Sequence, residues 1–272
     1  MTRLTETDTR GLIESLERFD AGLRRVAGVG LTQLALHACG LEEDVLTGRL
    51  VAAVPVSTGQ GFIPYFSECT AAILGYLGCD AFVTTLPDVR GLQEAAGKRA
   101  EAVFAADDDR FVALSLQGKG CADDDPCTAH GYAAALELAG GGLRDKEVLL
   151  LGLGPVGRAA AMRLLDLGAR LLVAEPDAAR AGAFAAAHPV RLVRLEEGLA
   201  ATPLVYDATP AAGIIDAHHV TVETLVAAPG IPSACTEAAR EALGDRHIHE
   251  PLAVGVAVMA AEVLSGRISP RA

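Results

Sequence analysis

The sequence predicts an α/β fold in two domains, and three observations predict it. Short apolar runs alternate with stretches of helical apolar spacing along nearly the whole chain, the pattern of strands joined by crossover helices. A glycine-punctuated turn, Val148-Leu149-Leu150-Leu151-Gly152-Leu153-Gly154-Pro155-Val156-Gly157, lies in mid-chain, so a unit of comparable size precedes it. Among 272 residues, 51% are hydrophobic but only 4% aromatic, and alanine and glycine abound, which suits close packing of helices on sheets through small side chains.

In order, the first helix is expected after Thr5 or Thr7. It carries Leu12, Leu16, Phe19, Leu23 and Val26 at spacings of four and three, a packing face for the core or for the second subunit of a homodimer. A buried strand at 50–56 runs into Ser57-Thr58-Gly59-Gln60-Gly61. There follow a helix at 67–77, a strand at 81–84, a turn at 86–91, a helix at 92–98 and a strand at 102–106 that ends in Asp107-Asp108-Asp109. This alternation predicts a small parallel layer. Asp125 as N-cap and Pro126 in the first turn start a helix at 127–138 that stops at Gly140-Gly141-Gly142, and the domain boundary is set there, giving 1–140 and 141–272.

The glycine turn then opens a doubly wound, Rossmann-type sheet. Gly152 permits the tight turn, Gly154 lets backbone N–H groups approach a pyrophosphate, and Gly157 lets the helix pack on the strand, with Pro155 and Val156 between them. The apolar stripe Val156, Ala160, Leu164 and Leu167 continues the helix. Glu175, eighteen positions after Gly157, closes the next apolar run, where a carboxylate accepts ribose hydroxyl protons and repels a 2′-phosphate. The expected cofactor is therefore NAD. Strands at 170–174, 190–193, 204–207, 225–227 and 247–250 complete the sheet, and an apolar helix at 252–264 is expected to cross back to the first domain.

Charge and cysteine content exclude several classes. Twenty-three basic against 35 acidic residues leave a net charge of −12, which opposes a nucleic-acid partner and favours a small cationic one. No apolar run approaches the roughly 18–20 residues of a membrane span, and no signal-peptide core is evident, so a cytoplasmic protein is expected. Six cysteines without a C-x-x-C pair read as free thiols.

In an open parallel sheet, ligands bind beyond the carboxyl ends of strands. The residues there are Ser57, Thr58 and Gln60, then Asp107, then Thr209 and Pro210, then Pro229-Gly230, and Glu250. The Asp107 run has the alternative reading of a solvated turn. His247 and His249 fall on one strand face, but no third ligand at a usual spacing accompanies them, and no metal is expected. Asp123-Asp124-Asp125 lacks the glycine and distal glutamate of a calcium loop and reads as a loop with a helix cap. Ser67 and Cys69 lack the histidine and acid partners of a nucleophile.

The segments 54–61 with Phe66-Ser67-Glu68, Leu86-Pro87-Asp88-Val89-Arg90-Gly91, Ala106-Asp107-Asp108, Pro126-Cys127-Thr128, the glycine turn, Ala208-Thr209-Pro210, Pro229-Gly230-Ile231-Pro232 and Glu250-Pro251-Leu252 occur together in one order. That set resembles the pyrrolysine synthase family over most of the chain. The resemblance implies an NAD-dependent amine dehydrogenase acting on 3-methylornithine joined by an amide to the side-chain nitrogen of lysine, with loss of ammonia and closure of a pyrroline ring. It implies that Thr58, Gln60 and Glu250 line the substrate side, and that Gly154, Pro155, Val156, Glu175, Thr209 and Pro210 hold the cofactor. Asp107 is expected to orient the reacting amine, either as its base or as an electrostatic clamp. The chain departs from the family pattern in Ser57-Thr58-Gly59-Gln60, where Thr-Ser-Gly-Asn is expected, at Thr85 for an acid, and at Val256 for a hydroxyl. Two other readings are another two-domain dehydrogenase of the amino-acid, folate or shikimate type, and an NAD-binding sensor without catalysis. Against the former, neither Lys98 nor Lys119, the lysines before Lys146, follows a strand.

Overall fold

The computed structural model describes residues 6–57, 65–118 and 120–266, with side chains from Ser15 onward. Its first part runs α1 (Glu6–Ala27), α2 (Leu31–Ala38), β1 (Leu50–Ala53), α3 (Phe66–Tyr76), β2 (Asp80–Val83), α4 (Asp88–Gly97), β3 (Ala102–Ala106), β4 (Phe111–Ser115), β5 (Cys121–Asp123) and α5 (Asp124–Ala139). The five strands form one sheet in the order β2-β1-β3-β4-β5.

Only β2, β1 and β3 are parallel; β4 runs antiparallel to β3, and β5 to β4. The expected all-parallel layer is therefore corrected to a mixed sheet. Only residues 107–110 separate β3 from β4, too few for a crossover, so the chain can only turn back. The Asp107 carboxylate holds that turn by accepting the N–H groups of Asp109 and Arg110 at 2.9 and 2.8 Å. The helix expected at 92–98 begins instead at Asp88, taking in most of the predicted turn. The cap of α5 is also corrected: Asp123, at the end of β5, accepts from the Asp125 N–H, so Asp125 lies inside the first turn. The strand expected at 50–56 ends at Ala53.

The second part runs β6 (Glu147–Leu151), α6 (Pro155–Asp166), β7 (Arg170–Ala174), α7 (Ala178–Ala187), β8 (Val190–Leu192), α8 (Leu195–Ala201), β9 (Leu204–Asp207), β10 (Leu225–Ala227), α9 (Glu237–Leu243), β11 (His247–Ile248) and α10 (Ala253–Ser265). Its sheet has the order β11-β10-β9-β6-β7-β8, every neighbour parallel. This is the doubly wound order the sequence predicts, with its switch point between β6 and β9. Val148, Leu149 and Leu150 in β6 and Val205 and Tyr206 in β9 are buried, as a sheet covered on both faces requires.

Two helices join the sheets. One is α5, which packs on α6, β9 and β10 as well as on β5, and the other is α10, which returns to α5, α2, α3, β4 and β5 as expected. Gly131 in α5 makes their contact close, because a Cβ there would meet the Val254 side chain. Leu16 and Leu23 of α1 are buried and Phe19 and Val26 pack against the same core, so this face of α1 serves the interior of its own chain. Among the described residues, no helix is long and apolar enough to cross a membrane. All six cysteines are unbridged.

Candidate active site

A cleft of about 1000 Å³ opens at the carboxyl ends of the strands, between the doubly wound sheet and the wall made by α3, the β3–β4 turn and the start of α5. Its first wall begins at β6. Gly152 takes φ +85°, a region that a side chain disfavours, and turns the chain into Leu153 and Gly154. Gly157 lies directly over the Gly152 carbonyl oxygen, which a Cβ at 157 would approach to well under 3.0 Å. Gly154 is the N-cap of α6, with no side-chain cap, and a Cβ there would meet nothing within 4 Å. The result is an open cradle at an uncapped helix N-terminus, with Pro155 and Val156 on the cleft surface, which fits the diphosphate of a dinucleotide.

Glu175 lies at the end of β7 on the same wall, with its side chain only 4% exposed. One oxygen accepts the Leu153 N–H at 2.7 Å and the other accepts the Asp177 N–H at 2.9 Å, while the Arg180 guanidinium stands 3.5 Å away. Glu175 therefore fixes the glycine turn itself, and each oxygen keeps a lone pair beyond these bonds. Thr209 and Pro210 line the cleft after β9. The Thr209 N–H and hydroxyl both donate to one oxygen of buried Asp207 at 3.0 Å, and the Ala234 N–H donates to the other at 2.8 Å. Burial raises the Asp207 carboxyl above the usual range, against the pull of these bonds. Gly230 lets the next loop press onto the Thr209 carbonyl.

The opposite wall is acidic and aromatic. Asp107 and Asp108 come from the β3–β4 turn, Asp124, Asp125 and Thr128 from α5, and Phe66 and Phe111 meet edge to face with centroids 5.0 Å apart. The backbone N–H groups of Asp109 and Arg110 hold Asp107 below the usual carboxylate range, so it stays an anion. Burial pushes Asp124 up to about 7, although the Thr128 hydroxyl donates to it at 3.0 Å. Asp125 is also raised, by burial and then by Asp123, and its Oδ1 is buried with no hydrogen-bond partner among the described residues.

Glu250 is buried beside the cleft rather than among the residues that line it; Pro251 and Leu252 do line it. The Tyr132 hydroxyl donates to the Glu250 carbonyl at 2.5 Å and accepts its N–H at 2.8 Å. Glu250 Oε2 accepts the N–H groups of Leu252 and Ala253, capping α10, while Oε1 has no partner among the described residues. Burial pushes this carboxyl up to about 7. Ser57 lies outside the cleft lining, with its N–H and hydroxyl both donated to Asp88. Thr58 and Gln60 fall outside the described residues. Thr85 is bonded to Glu94 and Val256 is buried in α10.

Asp124, Asp125, Asp207 and Arg180 had no functional role in the sequence reading. The signal for Asp124 and Asp125 was a strand end just before them, hidden because β5 is three residues long. The His247 and His249 rings stack at 5.3 Å, but His247 Nε2 bonds Ser233 at 2.8 Å and His249 Nδ1 bonds the Ala228 carbonyl at 2.7 Å.

A family model described as the N-terminal domain of the pyrrolysine biosynthesis protein PylD matches residues 8–122. Pyrrolysine synthase of Methanosarcina acetivorans is 33% identical, covering 97% of this chain and 100% of that protein. Pyrrolysine synthase of Methanosarcina barkeri is 32% identical, covering 97% and 98%. Shikimate dehydrogenase of Aquifex aeolicus superposes with a TM-score of 0.54 at 12% identity, covering 82% of this chain and 94% of that one. Shikimate 5-dehydrogenase of Listeria monocytogenes, solved with shikimate and NAD, superposes with a TM-score of 0.51 at 12% identity, covering 82% and 93%. These two structures share the fold.

Proposed function

Because the chain belongs to the pyrrolysine synthase family, we propose that it is an NAD-dependent oxidoreductase that oxidises the terminal CH–NH2 group of 3-methylornithyl-N6-lysine to form pyrrolysine. One observation carries this reading: a dinucleotide cradle and a wall of four aspartates face each other across a single cleft. The proposed substrate carries three ammonium groups and one carboxylate near neutral pH, and only an anionic wall compensates the hydration such a molecule loses on entry.

Gly152, Gly154, Pro155, Val156 and Gly157 shape the diphosphate site, Glu175 takes the adenosine ribose, and Thr209 and Pro210 border the nicotinamide half. When bound, NAD accepts the hydride. Asp107, held anionic by its turn, clamps an ammonium group of the substrate at the cleft mouth. Phe66 and Phe111 exclude water from the aliphatic chain between the amines. Oxidation of the terminal aminomethyl carbon leaves an iminium carbon, the ornithine α-amine adds to it, and ammonia departs as the ring closes, an intramolecular step favoured by the short tether. Glu250 borders this end of the cleft through Pro251 and Leu252.

Mixing protein, NAD and the amide in equal amounts tests the reading. Absorbance at the reduced nicotinamide band should rise in a single turnover, and free lysine or ornithine should give no rise. Binding of NAD without any reduction would replace the enzyme by a sensor.

A further inference from the structure

We infer that Asp124, in the first turn of α5, is the catalytic residue that takes the proton from the ammonium group to be oxidised; this rests on the reading that an amine is oxidised in this cleft. The carboxylates around the cleft are not equivalent. Asp107 spends one oxygen on two backbone N–H groups, and those bonds make it a weak base. Glu250 caps α10 and does not line the cleft. Asp125 lines it, but among the described residues no hydroxyl orients its carboxylate, and one of its oxygens is buried without a partner.

Asp124 alone combines cleft access with a fixed geometry. The Thr128 hydroxyl, one turn along α5, donates to Oδ1 at 3.0 Å, and Oδ2 makes no hydrogen bond among the described residues. Gly255 of α10 faces this pair. A Cβ there would come under 3.0 Å from both the Thr128 hydroxyl and Asp124 Oδ1, so the glycine keeps open the space the pair occupies. Around Asp124 stand Asp123 and Asp125 on the same turn, Asp107 and Asp108 across the cleft, Arg110 paired with Asp123, Arg158 of α6 acting on Asp125, Tyr132 and Cys127 along α5, and Glu250 before α10. Burial first, then the Asp125 and Asp123 charges, acting against the pull of the Thr128 hydroxyl and the chain's α-ammonium, place its proton affinity near neutrality, where a base is most effective at physiological pH.

In the step assigned to Asp124, an N–H bond of the ammonium breaks and an O–H bond forms on the carboxylate, while the electron pair stays on nitrogen. That lone pair lets the adjacent carbon release hydrogen with its electrons to NAD+, leaving an iminium carbon and NADH. The proton on Asp124 returns to solvent after turnover. A free amine of pKa about 10 is a poor donor to this group, but two further ammonium groups on the same substrate repel the proton and narrow the gap.

The test uses Asp124→Asn and Thr128→Val. Carbon-13 carboxyl NMR of aspartate-labelled protein without cofactor should show a resonance that titrates near pH 7, is absent in Asp124→Asn, and titrates at higher pH in Thr128→Val, because loss of the donor destabilises the anion. In steady state, kcat/KM should rise with pH through the same region in wild type, the limb should move up with little loss of plateau in Thr128→Val, and kcat should fall about a hundredfold or more in Asp124→Asn. NAD affinity, read by titration, should be unchanged in both. Wild-type kcat in Asp124→Asn, or an acid limb unmoved in Thr128→Val, would overturn the role; if Asp124→Asn does not fold, the Thr128→Val limb and NMR shift decide. A wild-type protein that shows the NMR titration but never reduces NAD with this substrate would overturn the functional reading and the role together.

Discussion

Gly154 and Gly157, on the same turn, should respond oppositely to the same added methyl group. At Gly157 the new Cβ would sit well under 3.0 Å from the Gly152 carbonyl oxygen, a backbone atom that cannot swing away, so α6 or the turn must move. Overpacking of this kind costs about 1–3 kcal/mol. At roughly 2–4 °C per kcal/mol for a chain of this size, Gly157→Ala should lower Tm by about 2–12 °C. At Gly154, φ is −67° and nothing lies within 4 Å, so alanine fits the folded chain and costs only part of the glycine N-cap preference. Its methyl group instead occupies the surface on which the diphosphate rests. Loss of one charge-assisted hydrogen bond, about 1.5–3 kcal/mol, corresponds to a rise in the NAD Kd of roughly 10- to 150-fold. Thermal unfolding followed by circular dichroism and NAD titration by calorimetry read the two effects separately. Wild-type NAD affinity in Gly154→Ala, or an unchanged Tm in Gly157→Ala, would refute the cradle.

Glu175→Arg should weaken NAD and improve NADP, because a cation replaces the carboxylate at the ribose; it should also lower Tm, since the Leu153 N–H loses its acceptor. The ratio of kcat/KM for the two cofactors checks this, and an unchanged ratio would remove Glu175 from the ribose site. Asp107→Asn should leave NAD affinity alone and lower kcat/KM for the amide by roughly 10- to 150-fold, the scale of one lost ionic contact of about 1.5–3 kcal/mol; near-normal kcat/KM would end its role as clamp. Glu250, pushed up to about 7 from an ordinary 4.5, binds its proton more tightly folded than unfolded. Its contribution therefore favours folding at low pH, falls as pH rises between about 4.5 and 7, and is fully lost above 7, by at most about 3 kcal/mol. Glu250→Gln should accordingly raise Tm relative to wild type more at pH 8 than at pH 5, and an equal difference at both values would contradict the buried carboxyl.

The second sheet was legible because its strands are buried on both faces and read as unbroken apolar runs, such as 148–151 and 204–206. The first sheet was half legible. Strand β4 is itself an apolar run, Phe111-Val112-Ala113-Leu114, but no helix-length stretch separates it from β3, so it falls outside a strand–helix alternation, and β5 spans only three positions. Without β5, the N-cap of α5 was placed two residues late and the cleft-facing Asp124 and Asp125 were read as a loop and a cap. Asp107 was found as a strand-end residue, but its hold on the hairpin depends on β4. The alternative reading of its run as a turn is correct, since the carboxylate accepts the Asp109 and Arg110 N–H groups while the residue lines the cleft. Glu175 was found from its spacing to the glycines; its bond to the Leu153 N–H depends on how the turn folds back, which spacing does not encode. Glu250 was placed at a strand end and by family resemblance, and only the fold reveals that it caps α10 beside the cleft.

Mass spectrometry of the product, with ammonia and NADH measured in the same incubation, tests the central claim most directly. Given NAD and 3-methylornithyl-N6-lysine, the protein should release ammonia and NADH in equal amounts and yield a product lighter than the substrate by the elements of one ammonia and one hydrogen molecule. An amide whose ornithine lacks its α-amine should still reduce NAD but stop at the open imine or aldehyde. A product oxidised instead at the lysine α-carbon, with a keto acid formed and the ornithine terminus intact, would contradict the account and make the protein an amino-acid dehydrogenase.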